Sequence, residues 1–200
     1  MNKIHDYIAF EGGYFKKYGN HGQLCLDRYF TFKAAISLFL QRKSRNIVET
    51  GCQRQMIDWG AGNSSLIFSE TLVEFPEKGF LYTIDIDENK LDVCNHATKH
   101  TNKVKFCLGD SVEILKIIDV EIGLLYLDSM DYEVYQQKES QLHQLKEIQT
   151  AYPKLNDESI VLLDDNFFEN GGKPKLAKEF LKEMGWVCVL DHHQTLWIKH

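Results

Sequence analysis

The sequence predicts an α/β fold, in which a doubly wound, mostly parallel seven-stranded sheet ends in an antiparallel last strand. Short apolar runs alternate with helical patterns along most of the 200 residues, and strands separated by helices of this length form βαβ units with a parallel sheet. The last two runs, WVCVL and TLWIK, are joined by only DHHQ. That join is too short for a crossover helix, so these two strands must run antiparallel.

Each element follows from the spacing of its apolar residues. Strands are predicted where apolar runs are short and lack helical spacing, at 46–50, 80–85, 104–108, 123–128, 159–164, 186–190 and 195–199. Helices are predicted where apolar residues recur every three or four positions, near 28–41 and at 64–74, 88–100, 111–118, 132–150 and 174–184. Residues 1–200 are expected to form a single domain, with 1–44 as an aromatic-rich N-terminal cap on a core of 45–200.

Composition excludes several classes of protein. Charged residues make up 26% of the chain and the net charge is −6, so nothing in the overall charge favours nucleic-acid binding. The N-terminus lacks the apolar run of a signal peptide, and no window is apolar enough to span a membrane. The five cysteines are scattered, which is typical of reduced thiols. We therefore expect a cytoplasmic protein with no membrane or nucleic-acid partner.

The join between the first strand and its helix, GCQRQMIDWGAGN, is longer than a simple turn requires. Gly51, Gly60 and Gly62 would let a ligand approach the backbone, and residues 63–65, NSS, could cap the helix that follows. An acid, Glu49, stands near the end of the first strand. Another, Asp85, follows Gly62 at about the 20-residue separation expected for a carboxylate that binds ribose hydroxyls. The alternative for Asp85 is a solvated strand end or a cap of the next helix, 88–100.

Four motifs in this order resemble those of class I S-adenosylmethionine-dependent methyltransferases. They are VETGC…WGAGNSS, YTIDID, CLGDS and LLYLDSMDY, and the resemblance runs from about Asn46 to the C-terminus. It implies the Rossmann-like methyltransferase fold, with 45–200 as the cofactor-binding core and S-adenosylmethionine as cofactor. The cofactor-binding residues that it implies are Glu49, Gly51 and Gly60 beside the methionine moiety, Gly62 of the same loop, Ser65 at the start of the following helix, Asp85 at the ribose, and Asp110 and Ser111 at the adenine.

LLYLDSMDY and VLLDDNFF also resemble metal-dependent O-methyltransferases of the catechol and caffeoyl-CoA type. This resemblance implies a divalent cation held by Asp128, Asp165 and Asn166, and oxygen ligands of this kind suit Mg²⁺ or Ca²⁺. The alternative is that these residues cap helices or line a polar cleft without a metal. Asp164 is expected to point to the opposite side of its strand from Asp165 and to be the weaker ligand.

The general base is left open by the sequence. The metal-dependent enzymes carry a Lys three residues after the first Asp, and this chain has Asp131 there instead. Candidate catalytic residues are therefore Asp128, Asp131, and His192 or His193 of the last turn, since histidine titrates near neutrality. The alternative for the two histidines is an exposed turn with no catalytic role.

Two other patterns allow a functional and a structural interpretation. Cys52 could be a nucleophile, but it lacks a His partner nearby in sequence, which favours packing. GGK at 171–173 could be part of a phosphate-binding loop, but it lacks the full P-loop pattern, which favours a flexible helix start.

The sequence therefore predicts an enzyme that transfers methyl groups to a small-molecule acceptor, with oxygen as the favoured target. Aromatic residues of the cap, Tyr14, Phe15 and Tyr18, are expected to contact the acceptor. The alternatives are a catalytically inactive protein that binds S-adenosylmethionine or a nucleoside, and an NAD-dependent oxidoreductase. The oxidoreductase is disfavoured by Ser65, which stands where a dinucleotide-binding loop has its third Gly. Whether the chain forms a homodimer is open.

Overall fold

The computed structural model describes residues 3–8, 23–56 and 63–199, which form a seven-stranded sheet with helices on both faces. The strands are β1 (Asn46–Thr50), β2 (Leu81–Asp85), β3 (Val104–Leu108), β4 (Ile122–Leu127), β5 (Ile160–Leu163), β6 (Trp186–Asp191) and β7 (Thr195–Lys199). The helices are α1 (Lys3–Ile8), α2 (Gln23–Gln41), α3 (Ser64–Glu74), α4 (Glu88–Ala97), α5 (Ser111–Ile117), α6 (Gln137–Ala151) and α7 (Lys175–Glu183).

The strand order in the sheet is β3-β2-β1-β4-β5-β7-β6. The first five strands run parallel, and β7 lies antiparallel between β5 and β6. The predicted fold class is therefore confirmed, including the reversed last strand. The order along the sheet reverses at the β1–β4 pair, and ligands of open α/β sheets bind at such a point.

Two helices begin at different residues from those predicted. α2 begins at Gln23, five residues earlier than the pattern suggested, and α6 begins at Gln137 rather than 132. Side-chain hydrogen bonds hold the segment before α6 in a loop. Tyr132 Oη donates to the carbonyl oxygen of Glu169 at 2.7 Å, and Ser140 Oγ donates to that of Asp131 at 2.5 Å. Such bonds compete with helix formation.

The core lies on both faces of the sheet, because successive residues of a buried strand point to opposite sides. In β4, Leu124 and Tyr126 pack against α2 and α3, whereas Leu125 and Leu127 pack against α5, α6 and α7. All six residues of β4 are buried. This is why the central strands read in the sequence as continuous apolar runs.

α2 is an integral part of the core, and its residues Phe32, Ile36 and Phe39 are buried against the sheet. Its C-terminal end is fixed by Lys78, whose Nζ donates to the carbonyl oxygens of Phe39, Arg42 and Ser44. Tyr14, Phe15 and Tyr18 lie outside the described residues. Within the described part of the chain, no helix combines the length and apolarity needed to cross a bilayer.

Candidate functional site

A cleft runs along the carboxyl ends of the strands, at the point where the strand order reverses. Its wider part is a cavity of about 360 Å³ over β2 and β3. It is lined by Gly51, Ile84, Asp85, Ile86, Lys90, Gly109, Asp110, Ser111, Ser129, Met130 and His143. A narrow polar neck continues from it over β1 and β4. The neck is lined by Gly51, Cys52, Arg54, Ser64, Asp85, Lys90, Asp128, Ser129 and Asp131.

Gly51 lines both the cavity and the neck. Its φ is +78°, and a Cβ at this position would lie 2.3 Å from the carbonyl oxygen of Asp128. Only glycine adopts this backbone conformation and allows this approach without strain. Gly60 and Gly62, the other glycines of the predicted loop, lie outside the described residues.

Glu49, near the end of β1, is completely buried. Its Oε1 accepts hydrogen bonds from Ser65 Oγ, at 2.5 Å, and from Thr83 Oγ1, while Oε2 has no partner among the described residues. Burial raises the pKa of Glu49 to about 7, although the hydroxyl donors oppose the rise. Glu49 and Ser65 are thus brought together. The hydrogen bonds of Glu49 connect β1 to α3 and to β2, and neither Glu49 nor Ser65 is among the residues that line the cleft. Asn63 precedes α3 without a side-chain capping bond in the described structure.

Asp85 lies at the end of β2 and borders both the cavity and the neck. Its Oδ2 accepts the Cys52 N–H at 3.2 Å, and its Oδ1 accepts the Asp87 N–H at 2.9 Å. The cap of α4 is Asp87, whose side chain accepts from the Asn89 N–H. The alternative that Asp85 caps this helix is therefore wrong, and Asp85 remains available to the cleft.

Asp110 and Ser111 line the far end of the cavity, over β3. Asp110 caps α5, and its Oδ1 accepts the N–H groups at positions 112 and 113. Ser111 Oγ lies 3.0 Å from His143 Nε2, which lies 3.5 Å from Glu147 Oε1. A hydrogen bond with Glu147 raises the pKa of His143. The cavity thus presents hydroxyl, imidazole and backbone groups suited to a polar heterocycle.

Cys52 packs with Leu91 and Cys94 in a small buried cluster of its own. Its backbone N–H, rather than its thiol, serves the site by donating to Asp85. A hydrogen bond with the thiol of Cys94, together with burial, raises the pKa of Cys52. The packing interpretation of this cysteine is therefore favoured over a nucleophile.

Asp128 lines the neck and lies in a cluster with two further carboxylates, Asp164 and Asp165. Among the described residues, the cations that pair with this cluster are the buried Lys173 and the half-buried Arg28. Lys173 Nζ lies 2.6 Å from Asp128 Oδ1 and 3.0 Å from Asp165 Oδ2. Arg28 Nε lies 3.0 Å from Asp164 Oδ2. Burial disfavours the charge on Lys173, but the carboxylates outweigh it and raise its pKa. Burial likewise disfavours the Asp164 carboxylate, but Arg28 and Lys173 hold its pKa below the usual range.

Polar side chains beneath these groups hold the carboxylates in place. Tyr126 Oη donates to Asp164 and lies 3.2 Å from Asp128 Oδ2. Gln194 Nε2 lies 3.3 Å from Asp164 Oδ2, and its own Oε1 accepts the hydroxyl of Thr31 at 2.5 Å. The positions of the acids are therefore fixed by β4, the turn before β7, and α2 together.

Asp164 and Asp165 face the same side, contrary to the expectation from strand alternation. Their carboxylates both lie close to His193. β5 ends at Leu163, and Asp165 has a φ of 58°, so the alternation of an extended strand no longer applies there.

The GGK turn places Lys173 between Asp128 and Asp165. The interpretation of this turn as a flexible helix start is therefore corrected. Gly172 has a φ of +68°, and a Cβ there would lie 2.4 Å from the carbonyl oxygen of Asp165. The Lys173 N–H donates to the same carbonyl oxygen at 3.1 Å. The turn is therefore pressed against Asp165, and its Lys side chain is almost fully buried.

The expected metal ligands Asp128, Asp165 and Asn166 do not form a ligand set as they are placed. Lys173 occupies the position between the two carboxylates. The Asn166 side chain is turned away, because Nδ2 donates to Asp191 Oδ1 and the His192 carbonyl oxygen, both at 2.7 Å. Its Oδ1 accepts from Lys178 Nζ at 2.6 Å. The geometry of these residues does not fit a divalent cation.

The three remaining candidate bases, His193, His192 and Asp131, differ in how far their side chains are buried. His193 Nε2 lies 3.6 Å from Asp164 Oδ1, and burial, with the Arg28 guanidinium, lowers the pKa of His193. His192 is exposed, and its Nδ1 contacts the carbonyl oxygen of Asp27. Asp131 is exposed at the neck and pairs with Arg54 at 3.3 Å. His193 is thus the histidine that joins the acidic group.

The functional roles of Arg28, His143 and Lys173 were not identified from the sequence. Arg28 and Lys173 come from the first helix of the core and from the GGK turn, far along the chain from their partners. The Gly-Gly pair before Lys173 was the one local signal that could have singled it out.

No protein-family model and no curated protein matches the chain by sequence. By structure, it is similar to the O-methyltransferase NovP, with a TM-score of 0.64 and 11% identity over 98% of this chain and 96% of that one. It is also similar to the SAH-bound methyltransferase PaMTH1 of Podospora anserina, with a TM-score of 0.60 and 14% identity over 100% of this chain and 88% of that one. A third similar structure is that of CalS11, a TDP-rhamnose 3′-O-methyltransferase of calicheamicin biosynthesis, with a TM-score of 0.59 and 13% identity over 98% of this chain and 91% of that one. The chain therefore has the Rossmann-like methyltransferase fold.

Proposed function

We propose that the protein transfers a methyl group from S-adenosylmethionine to a hydroxyl oxygen of a small-molecule acceptor. The observation that carries the proposal is the continuous cleft, in which a cavity bordered by the Asp85 carboxylate opens into a polar neck that ends at Asp128. The structural similarity to methyltransferases, two of them O-methyltransferases by name, supports it.

The residues of the cleft fit the cofactor at both ends. Asp85 can accept hydrogen bonds from two ribose hydroxyls, and the groups around Ser111 and His143 suit the adenine. Gly51 would border the methionine portion, because its bare backbone lines the neck and lies against the Asp128 carbonyl oxygen, where a Cβ would not fit. When bound, the cofactor supplies an electrophilic methyl group on a sulfonium.

Asp128 is the residue best placed to receive the proton of the acceptor. Its side chain is 21% exposed, toward the neck, and Oδ1 is engaged by Lys173. Oδ2 has only the long contact with Tyr126 in the described structure, so it can accept a further hydrogen bond. A carboxylate in this position orients the acceptor hydroxyl and takes its proton as the oxygen is methylated. His193 is the second candidate for this role.

Cofactor binding is tested by calorimetry with S-adenosylhomocysteine, the demethylated product. Replacing Asp85 by Ala or Asn should weaken binding by about 1.5–3 kcal/mol, because charge-assisted hydrogen bonds are lost. Asp85→Asn is the cleaner test, because it keeps the size of the side chain beside the Cys52 N–H. The matched control is Asp92→Ala, on the exposed face of α4, which should bind as the wild type does. Equal affinities in all four proteins would remove Asp85 from the site.

Turnover separates an enzyme from a binding protein. Incubation of the wild type with S-adenosylmethionine labelled in the methyl group and a library of hydroxyl-bearing metabolites should yield a labelled acceptor. Asp128→Asn should bind the cofactor as the wild type does and lose turnover. A wild-type protein that binds the cofactor but methylates no member of the library would support the catalytically inactive alternative.

A further inference from the structure

The acidic end of the cleft contains two positively charged side chains, Arg28 and Lys173. We propose that the ammonium group of Lys173 takes the place of a divalent cation at this site and that the protein transfers methyl groups without a bound metal. The proposal rests on the proposed function, because it assigns a role within the same cleft. Its basis is the position of Lys173 Nζ, within hydrogen-bonding distance of both Asp128 and Asp165.

A metal ion and this ammonium group compete for the same oxygens. Mg²⁺ requires oxygen ligands at about 2.0–2.1 Å in near-octahedral arrangement. Asp128 Oδ1 and Asp165 Oδ2 instead converge on Nζ at 2.6 and 3.0 Å. The Lys173 side chain is 2% exposed, and its backbone is held against Asp165 by the tight turn at Gly172. The ammonium group of Lys173 therefore has a fixed position in the site.

The other oxygens of the cluster are also committed. Asp164, Asp165 and His193 come close enough together to hold a metal ion. However, the Arg28 guanidinium contacts both carboxylates, with Nη2 3.6 Å from Asp165 Oδ1. The guanidinium donates hydrogen bonds to the Asp164 carboxylate, with Nε 3.2 Å from Oδ1 and 3.0 Å from Oδ2, and its charge repels a second cation near Asp165.

The charges of the cluster agree with this assignment. Among the described residues, three acidic side chains, Asp128, Asp164 and Asp165, face two fixed cations, Arg28 and Lys173. With all three acids ionised, one negative charge is left in excess. A dication would instead leave the buried cluster with excess positive charge, which is unfavourable in a site of low dielectric. Lys173 is therefore a positioning residue that orients Asp128 and offsets its charge.

Binding of Mn²⁺, measured by calorimetry and by electron paramagnetic resonance, tests the proposal without requiring turnover. The wild type should show no stoichiometric site. Lys173→Met keeps the length and burial of the side chain but removes its charge, and it should gain a Mn²⁺ site. Lys173→Arg keeps the charge and should gain none. The matched control is Lys175→Met, which removes an exposed lysine of the adjacent helix and should behave as the wild type does.

Stoichiometric binding of Mn²⁺ by the wild type would overturn the proposal, as would a folded Lys173→Met protein with no Mn²⁺ site. If Lys173→Met does not fold, the wild-type measurement decides alone. Calorimetry with S-adenosylhomocysteine on the same samples keeps the two hypotheses apart. Absence of cofactor binding would count against the proposed function, while the Mn²⁺ results would still show which cation holds the carboxylates together.

Discussion

The buried carboxyl of Glu49 should make the stability of the protein depend on pH in a specific direction. Its pKa is about 7 in the folded protein and 4.5 ordinarily. Between these values the unfolded chain has released the proton and the folded chain still holds it, so the free energy of unfolding falls as the pH rises. At 1.36 kcal/mol for each pKa unit, the loss amounts to about 3 kcal/mol by pH 7 and then levels off. Glu49→Gln cannot titrate, so it should lack this loss.

Urea unfolding of the wild type and of Glu49→Gln, repeated at intervals from pH 4.5 to 8.5, measures the effect. The difference between the two free energies should move in favour of Gln by about 3 kcal/mol between pH 4.5 and 7. The test depends on how the difference in unfolding free energy changes with pH. The amide beside Ser65 and Thr83 adds the same destabilisation at every pH and does not affect that change. Glu139→Gln, on the exposed face of α6, is the control and should follow the wild type. Parallel curves for Glu49→Gln and the wild type would refute a neutral buried carboxyl.

Two further substitutions test other parts of the structure. Gly51→Ala should destabilise the protein by about 1–3 kcal/mol, because its backbone is left-handed and a Cβ would strike the Asp128 carbonyl; urea unfolding checks this, and unchanged stability would mean that the loop tolerates a side chain. Lys78→Met should cost about 2 kcal/mol, because Nζ donates to three carbonyl groups at the end of α2. Thermal unfolding beside the exposed Lys99→Met tests it, and equal losses would contradict a specific role for Lys78.

The strands could be predicted from the sequence because a strand that is buried on both faces of the sheet has a continuous apolar run of residues. β4 is apolar at almost every position, and the four-residue join before β7 dictates its direction. The ends of α2 and α6 were less predictable, because hydrogen bonds such as that from Tyr132 to Glu169 connect segments that are distant in the chain.

The site was predictable only as far as its residues follow strands. Asp85 and Asp128 come directly after apolar runs, which places them at the ligand-binding edge of the sheet. Arg28 and Lys173 carry no such signal, since they reach their partners from 136 and 45 residues away. The position of Asp164 depends on a left-handed residue after the strand, and side-chain alternation does not anticipate a change of backbone conformation.

The position of β7 between β5 and β6 has a consequence for how the protein is made. β5 and β6 leave the ribosome first, yet among the described strands β6 pairs with β7 alone and the outer edge of β5 is also covered by β7 alone. Until residues 195–199 emerge, the nascent chain presents a buried-type strand, Ile160–Leu163, with unsatisfied backbone groups on one side. Such an edge attracts other extended chains. Completion of the sheet therefore waits for β7, and the stretch of translation between β5 and β7 is an interval in which the chain is exposed to aggregation and to capture by chaperones.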